Sequence, residues 1–102
     1  MNEPARYPGL QNDHFGGMTD HGRIIRDAWV FGILPETETC DGWDRTLFDT
    51  LNAKVLAAWE VHGNLVSLLP ADLRARHERI YAEAIAQARE LGWPPELDDE
   101  EA

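Results

Sequence analysis

The sequence predicts an all-α protein, a small bundle of three main helices with an irregular N-terminal arm and an acidic C-terminal tail. Apolar residues recur at three- and four-residue spacing in three segments, and each segment lies between residues that favour helix starts and stops. A chain of 102 residues is expected to form one domain. We therefore predict an arm over residues 1–18, a helical domain over residues 19–95 and a disordered acidic tail over residues 96–102.

The arm is predicted from its composition. Residues 1–18 contain two Pro and three Gly, and neither a helical nor an alternating apolar period is present. Pro and Gly are the strongest interruptions of regular structure, so this segment is expected to be irregular.

Helix 1 is predicted to start at Thr19, whose hydroxyl is suited to accept from the first free N–H groups of a helix. Pro35 disfavours a helical conformation at Leu34, so the helix is expected to end near Ile33. Arg23 and Asp27 are predicted to form an i,i+4 pair on the polar side. A strand over residues 29–33 is the alternative, because Val, Phe, Trp and Ile all suit strands.

Helix 2 is predicted to start at Asp41, since Asp44 follows three residues later in the pattern of a weak capping box. Gly63 and Asn64 are a typical C-terminal stop. Phe48 is expected at the edge of the apolar face. The predicted apolar face of helix 2 consists of Trp43, Leu47, Leu51, Val55, Ala58 and Trp59.

Helix 3 is predicted to start at Pro70 and to end at Gly92, after a short apolar connector over residues 65–69. His77 and Tyr81 are expected to form a polar pair at the edge of the core. The predicted inner stripe consists of Leu73, His77, Ile80, Ala84, Ala88 and Leu91.

One segment suggests a binding surface. Residues 28–34 carry no polar side chain, and an acidic loop follows directly. A short domain with four Trp has more apolar surface than its core requires, and Trp is enriched at protein interfaces. Core packing is the simpler interpretation of any single Trp. The predicted partner-binding residues are Trp29, Val30, Phe31 and Trp43, with Glu36 and Glu38 as the acidic rim.

The sequence indicates no catalytic, metal-binding or cofactor-binding residue. Cys40 is the single cysteine, which excludes a disulfide within the chain and a Cys-rich zinc site. Acidic residues surround Cys40 and oppose a reactive thiolate. The four His include no pair at the i,i+3 or i,i+4 spacing of a metal-binding helix.

The charge and hydropathy pattern excludes several classes of partner. Nineteen acids oppose nine bases, a net charge of −10, which is the wrong sign for direct nucleic-acid binding. No apolar run approaches the roughly 20 residues of a membrane span, and residues 1–7 lack a signal-peptide pattern. A cytoplasmic protein with a reduced thiol is expected.

We therefore predict a non-enzymatic binding or accessory protein whose partner is a larger protein or a second copy of the chain. One alternative is an acidic decoy that mimics nucleic acid and inhibits a protein that binds it. Another is a small metal- or thiol-dependent enzyme that uses Cys40, or His21 together with carboxylates.

Overall fold

A computed structural model of the chain describes residues 6–93, and the all-α prediction is confirmed over this range, which contains no strand. The predicted acidic tail over residues 96–102 lies outside the described residues. No helix within them is long and apolar enough to cross a membrane. The three helices are α1 (Asp20–Val30), α2 (Arg45–Val61) and α3 (Ala71–Glu90), and single 3-10 turns occur at Leu10–Asn12, His14–Gly16 and Val66–Leu68.

Helix α1 is the central element, since α2 and α3 each pack against it more extensively than against one another. Helix α2 runs in the same direction as α1. Near their N-terminal ends the rings of His21 and Phe48 lie 4.5 Å apart, and further along Trp59 donates a hydrogen bond to Asp27.

Helix α3 runs in the opposite direction to α1. Near its N-terminal end, Arg76 donates to the backbone carbonyl of Val30 at the C-terminal end of α1. Its C-terminal half packs against the turn His14–Gly16, which precedes α1. Helices α2 and α3 therefore both pack on α1 and run antiparallel to each other, with an open cavity between them.

The main apolar core joins the arm, α1 and α2, and within residues 6–93 it includes no side chain of α3. Helix α3 instead buries Ile80, Ala84 and Ala88, of which two are small. The buried side chains of the main core are Tyr7, Leu10, Ile25, Ala28, Cys40, Phe48, Leu51 and Val55.

The N-terminal end of α1 confirms the predicted cap and fixes the arm in place. The hydroxyl of Thr19 accepts from the amide of Gly22 at 3.1 Å. A Cβ atom at Gly22 would lie 1.8 Å from the carbonyl oxygen of Gly17, so only glycine permits this close approach. Arg26, which is buried, donates to the carbonyls of Gly16 and Gly17 at 2.7 and 3.0 Å.

Helix α1 ends at Val30, earlier than the predicted end near Ile33. The cause is Gly32, whose φ of 72° is left-handed and turns the chain back. The amides of Ile33 and Leu34 then donate to the carbonyl of Ala28. The helix therefore ends on its own C-terminal cap before Pro35 exerts any effect.

Helix α2 is capped by Asp44 and not, as predicted, by Asp41. The carboxylate of Asp44 accepts from the amide of Leu47 at 3.0 Å. Cys40 and Gly42 have φ values of 62° and 81°, which no helix allows. The helix therefore begins only after these two residues.

Two side chains of α2 and one of α3 differ from the predicted faces. Phe48 is buried, whereas Leu47 is 46% exposed, so the apolar face of α2 is rotated towards Phe48. Leu91, the last residue of the predicted inner stripe of α3, is also exposed. The stop of α2 at Gly63 and Asn64 is confirmed, since α2 ends at Val61.

Candidate functional site

Two predicted partner-binding residues of α1 have partners inside the chain. Trp29 packs against the core, and its indole N–H donates to the carbonyl of Glu38 at 3.0 Å. Val30 is 0% exposed and therefore offers no surface to a partner. The side-chain carboxylate of Glu38 accepts from the amide of Cys40 at 2.9 Å, which fixes the loop before α2.

Phe31 packs against the C-terminal end of α2. Its ring lies edge-on to Trp59 at 5.1 Å and parallel to His62 at 5.9 Å, and its side chain is half-buried. It therefore closes the contact between α1 and α2 while retaining some exposed surface.

Glu36 and Trp43 also make contacts inside the chain. Glu36 forms a two-point ion pair with Arg79 of α3, with the nearer oxygen at 2.8 Å. Trp43 precedes α2, its ring lies 5.6 Å from that of Phe48, and its carbonyl accepts from the amide of Tyr7. A role in partner binding stays a prediction for these residues.

The exposed apolar side chains lie in another part of the chain. Of the eight large hydrophobic residues that are exposed within residues 6–93, five fall between positions 56 and 68. This segment is the C-terminal part of α2 and the connector to α3. The five side chains are Leu56, Val61, Leu65, Val66 and Leu68.

A groove lies between α2 and α3, with α1 as its floor. It forms an open cavity with a volume of about 430 Å³. Leu56 and Val66 form part of its wall, so two of the five exposed apolar residues face this cavity. Further lining comes from Arg23 and Asp27 of α1, Trp59 of α2, and His77 and Tyr81 of α3. We refer to this feature as the α2–α3 groove.

Asp27 joins the three helices at the floor of the α2–α3 groove. Its carboxylate accepts from the indole N–H of Trp59 at 3.1 Å and from the hydroxyl of Tyr81 at 2.5 Å. Burial and the neighbouring Asp27 carboxylate raise the pKa of Tyr81 well above its ordinary value. The prediction that Asp27 lies on the polar side was wrong, because these two donors allow the carboxylate to be buried.

Asp27 is only 8% exposed, and no ion pair joins its carboxylate to a cation of the described residues. The ion pairs found within residues 6–93 are those of Arg79 with Glu36 and with Glu83. Arg23 lines the same cavity and is exposed, yet it forms no ion pair with Asp27. A negative charge therefore faces the groove with two neutral donors as its only partners among the described residues.

Three rings form the walls around Asp27. The ring of His77 lies 4.6 Å from that of Tyr81 and 6.1 Å from that of Trp59. The predicted pair of His77 and Tyr81 at the core edge is confirmed, since both side chains are half-buried. The groove thus combines a buried carboxylate, aromatic rings and an aliphatic edge.

A larger cavity of about 690 Å³ lies between the arm and the first turns of α1 and α2. On its wall, Asp13 accepts from the hydroxyls of Thr19 and Tyr7. Burial opposes ionisation of Asp13, but these hydrogen bonds and one from the amide of His14 outweigh it and lower its pKa. Basic and acidic side chains both line the cavity. The charged lining residues are Arg6, Arg45, Asp13, Asp44 and Asp49.

Cys40 is a buried core residue. Burial and the neighbouring Glu38 raise the pKa of its thiol to about 12, so the thiol is protonated near neutral pH. This disfavours a nucleophilic thiol. The described residues also contain no group of three or more His, Cys, Asp or Glu side chains placed to hold a metal ion.

Searches against protein-family models, curated proteins and solved structures found no match to this chain. The class of protein that the fold defines is a small three-helix bundle. Its function is inferred from the geometry of the chain itself.

Proposed function

We propose that the chain is a non-enzymatic accessory protein of the cytoplasm that binds another protein through the α2–α3 groove and the aliphatic segment beside it. The observation that carries the proposal is the concentration of exposed aliphatic side chains between positions 56 and 68, two of which line the groove. Exposed apolar side chains of this number on a small protein favour a covered state, because leaving them in water costs free energy.

An amphipathic helix is the occupant that the groove fits best. The cavity between α2 and α3 is open to solvent and has Leu56 and Val66 in its lining, so an amphipathic helix laid across its opening can bury its apolar face against these side chains. This helix belongs to a different protein and not to a second copy. Two copies with a net charge of −10 each repel one another, whereas a neutral or basic partner does not repel the chain.

The test compares two leucines of α2. Leu56 is 55% exposed and lines the groove, while Leu47 is 46% exposed and lies near the opposite end of the helix. Tagged wild-type chain, Leu56→Ser and Leu47→Ser are used to capture partners from the host lysate, and the retained partner is quantified. Losing one buried Leu contact costs about 2 kcal/mol, so Leu56→Ser is expected to weaken binding roughly thirtyfold and to retain correspondingly less partner. Leu47→Ser is expected to match wild type.

Other outcomes contradict the proposal in distinguishable ways. Capture that is unaffected by Leu56→Ser places the partner elsewhere. A partner that is also released by high salt supports the acidic decoy instead. Recovery of the chain's own copies alone supports self-association. Circular dichroism of each variant shows whether it is folded, so that lost capture is not confused with unfolding.

A further inference from the structure

The buried carboxylate of Asp27 indicates what the partner presents to the groove. We infer that the partner inserts a Lys or Arg side chain into the α2–α3 cavity, where its cationic group pairs with Asp27. This inference rests on the proposed function, because it names the chemistry of the partner at the same site.

Asp27 has acceptor positions to spare. An ionised carboxylate offers about four lone-pair positions, and the bonds from Trp59 and Tyr81 use one on each oxygen. Burial of a charge is costly unless a cation pairs with it, and neutral donors compensate only in part. An ammonium or guanidinium group supplies both the missing charge and the additional hydrogen bonds.

The walls of the cavity suit a cation on an aliphatic stem. Trp59, His77 and Tyr81 surround Asp27 with rings, and the faces of Trp and Tyr attract cations. Leu56 and Val66 provide aliphatic contact for the methylene groups of a Lys or Arg. A volume of about 430 Å³ lies within the range of roughly 300–1,000 Å³ that is usual for ligand pockets.

Among the described residues, Arg26 and Arg76 donate to backbone carbonyls elsewhere, and Arg23 lines the cavity without an ion pair to Asp27. Arg26 is adjacent in sequence, but its guanidinium is held by the carbonyls of Gly16 and Gly17. Arg76 donates to the carbonyl of Val30. Arg23 lines the cavity without pairing to Asp27, so it repels an incoming cation rather than replacing it.

The experiment uses the full chain labelled with ¹⁵N and two small probes that differ in charge. These are Nα-acetyl-lysine methylamide, which keeps a charged side-chain ammonium group, and its uncharged analogue Nα-acetyl-norleucine methylamide. The indole N–H of Trp59 donates to Asp27 and therefore reports on the carboxylate, while the indole N–H of Trp29 donates to a backbone carbonyl and serves as the internal control. The lysine probe is expected to shift the Trp59 signal saturably in the millimolar range, and the norleucine probe is not.

Two variants sharpen the result. Asp27→Asn removes the charge and is expected to abolish the saturable shift. Arg23→Gln removes a positive charge from the lining of the cavity, which repels the lysine probe, and is expected to tighten lysine binding roughly threefold. Since Arg23 is exposed, this variant leaves the fold intact even if Asp27→Asn does not.

Three results overturn the inference: equal shifts with both probes, no shift of Trp59 with either, or weaker lysine binding in Arg23→Gln. Each is separable from failure of the proposed function. Partner capture that depends on Leu56 while the lysine probe fails shows a groove that binds without a cationic anchor. A successful lysine probe with Leu56-independent capture shows an anchor site that the captured partner does not use.

Discussion

The two sides of α1 are held in different ways. Towards the arm and α2, the contact consists of rings and branched aliphatic side chains that form one continuous core. Towards α3, it consists of Ile80, Ala84 and Ala88 together with hydrogen bonds from Tyr81 and Arg76. The arm, α1 and α2 therefore share the main apolar core, while the α3 side borders an open cavity.

Two neighbouring buried ions show the same contrast. Arg26 points towards the arm, where two backbone carbonyls accept from it and close that side. Asp27 points towards α2 and α3, where its charge remains without a cation and faces a cavity. Arg26 therefore completes the packing of α1 against the arm. Asp27, the next residue, provides the carboxylate with which we propose that a partner's cation pairs.

The largest loss of stability is expected from a substitution in the core that the arm, α1 and α2 share. Phe48→Ala removes a ring that contacts Tyr7, His21 and Trp43, and large-to-small changes of this kind cost about 4 kcal/mol. Leu47→Ala, one residue away and exposed, is the control and is expected to change the free energy of unfolding by less than about 0.5 kcal/mol. Urea unfolding followed by circular dichroism measures both. Equal effects at the two positions would remove the distinction between core and surface on α2.

The next effect concerns the junction of α1 with the arm. Arg26→Met keeps the aliphatic volume but leaves two carbonyls without their charged donor, which is expected to cost about 3 kcal/mol. Arg23→Met, on the exposed side of the same helix, is expected to be nearly neutral. If both variants unfold at the same urea concentration, Arg26 does not hold the arm.

A smaller effect is expected where α3 meets α1. Tyr81→Phe removes the hydrogen bond to Asp27, at a cost of about 2 kcal/mol. Amide hydrogen exchange is expected to accelerate in α3 and to stay slow in α2, because α3 lies outside the main core. Glu36→Gln breaks the exposed ion pair between Glu36 and Arg79 and is the control, with no measurable change expected. Acceleration of both helices by Tyr81→Phe would show that they unfold as one unit.

A change of pH near neutrality is expected to have the smallest effect on the urea midpoint of unfolding. Burial raises the pKa of Cys40 from 9.0 to about 12 and also raises the pKa of Tyr7 and Tyr81. Their contribution is fully present below the ordinary values and is lost as the pH rises, since the unfolded chain releases these protons first. The urea midpoint is therefore expected to be flat from about pH 7 to about pH 8.5 and to fall from there towards pH 12. A midpoint that is unchanged at pH 10.5 would contradict the burial of these three groups.

Two local sequence signals predicted the ends of helices correctly. Thr19 as the cap of α1 and Gly63 with Asn64 as the stop of α2 depend on backbone groups within a few residues, and both are confirmed. The cap of α2 was misplaced at Asp41 because Cys40 has a left-handed backbone, which a residue other than glycine rarely adopts.

The groove could not be predicted because its interactions are distant in sequence. Asp27 is buried by Trp59 and Tyr81, which follow it by 32 and 54 residues. Val30 was assigned to a surface patch, yet packing in the folded chain leaves it fully buried. The apolar residues around Gly63 were visible in the sequence, but only the arrangement of α2 and α3 on α1 brings Leu56 and Val66 to one cavity.

The most direct test of the account is a hydrogen–deuterium exchange footprint of the chain in complex with the protein that it captures. The account predicts slower exchange in residues 56–68 and around His77 and Tyr81, with no change in residues 6–18. Protection confined to Trp29, Phe31 and the loop that carries Glu36 and Glu38 would contradict it and would place the partner on the surface that the sequence first suggested.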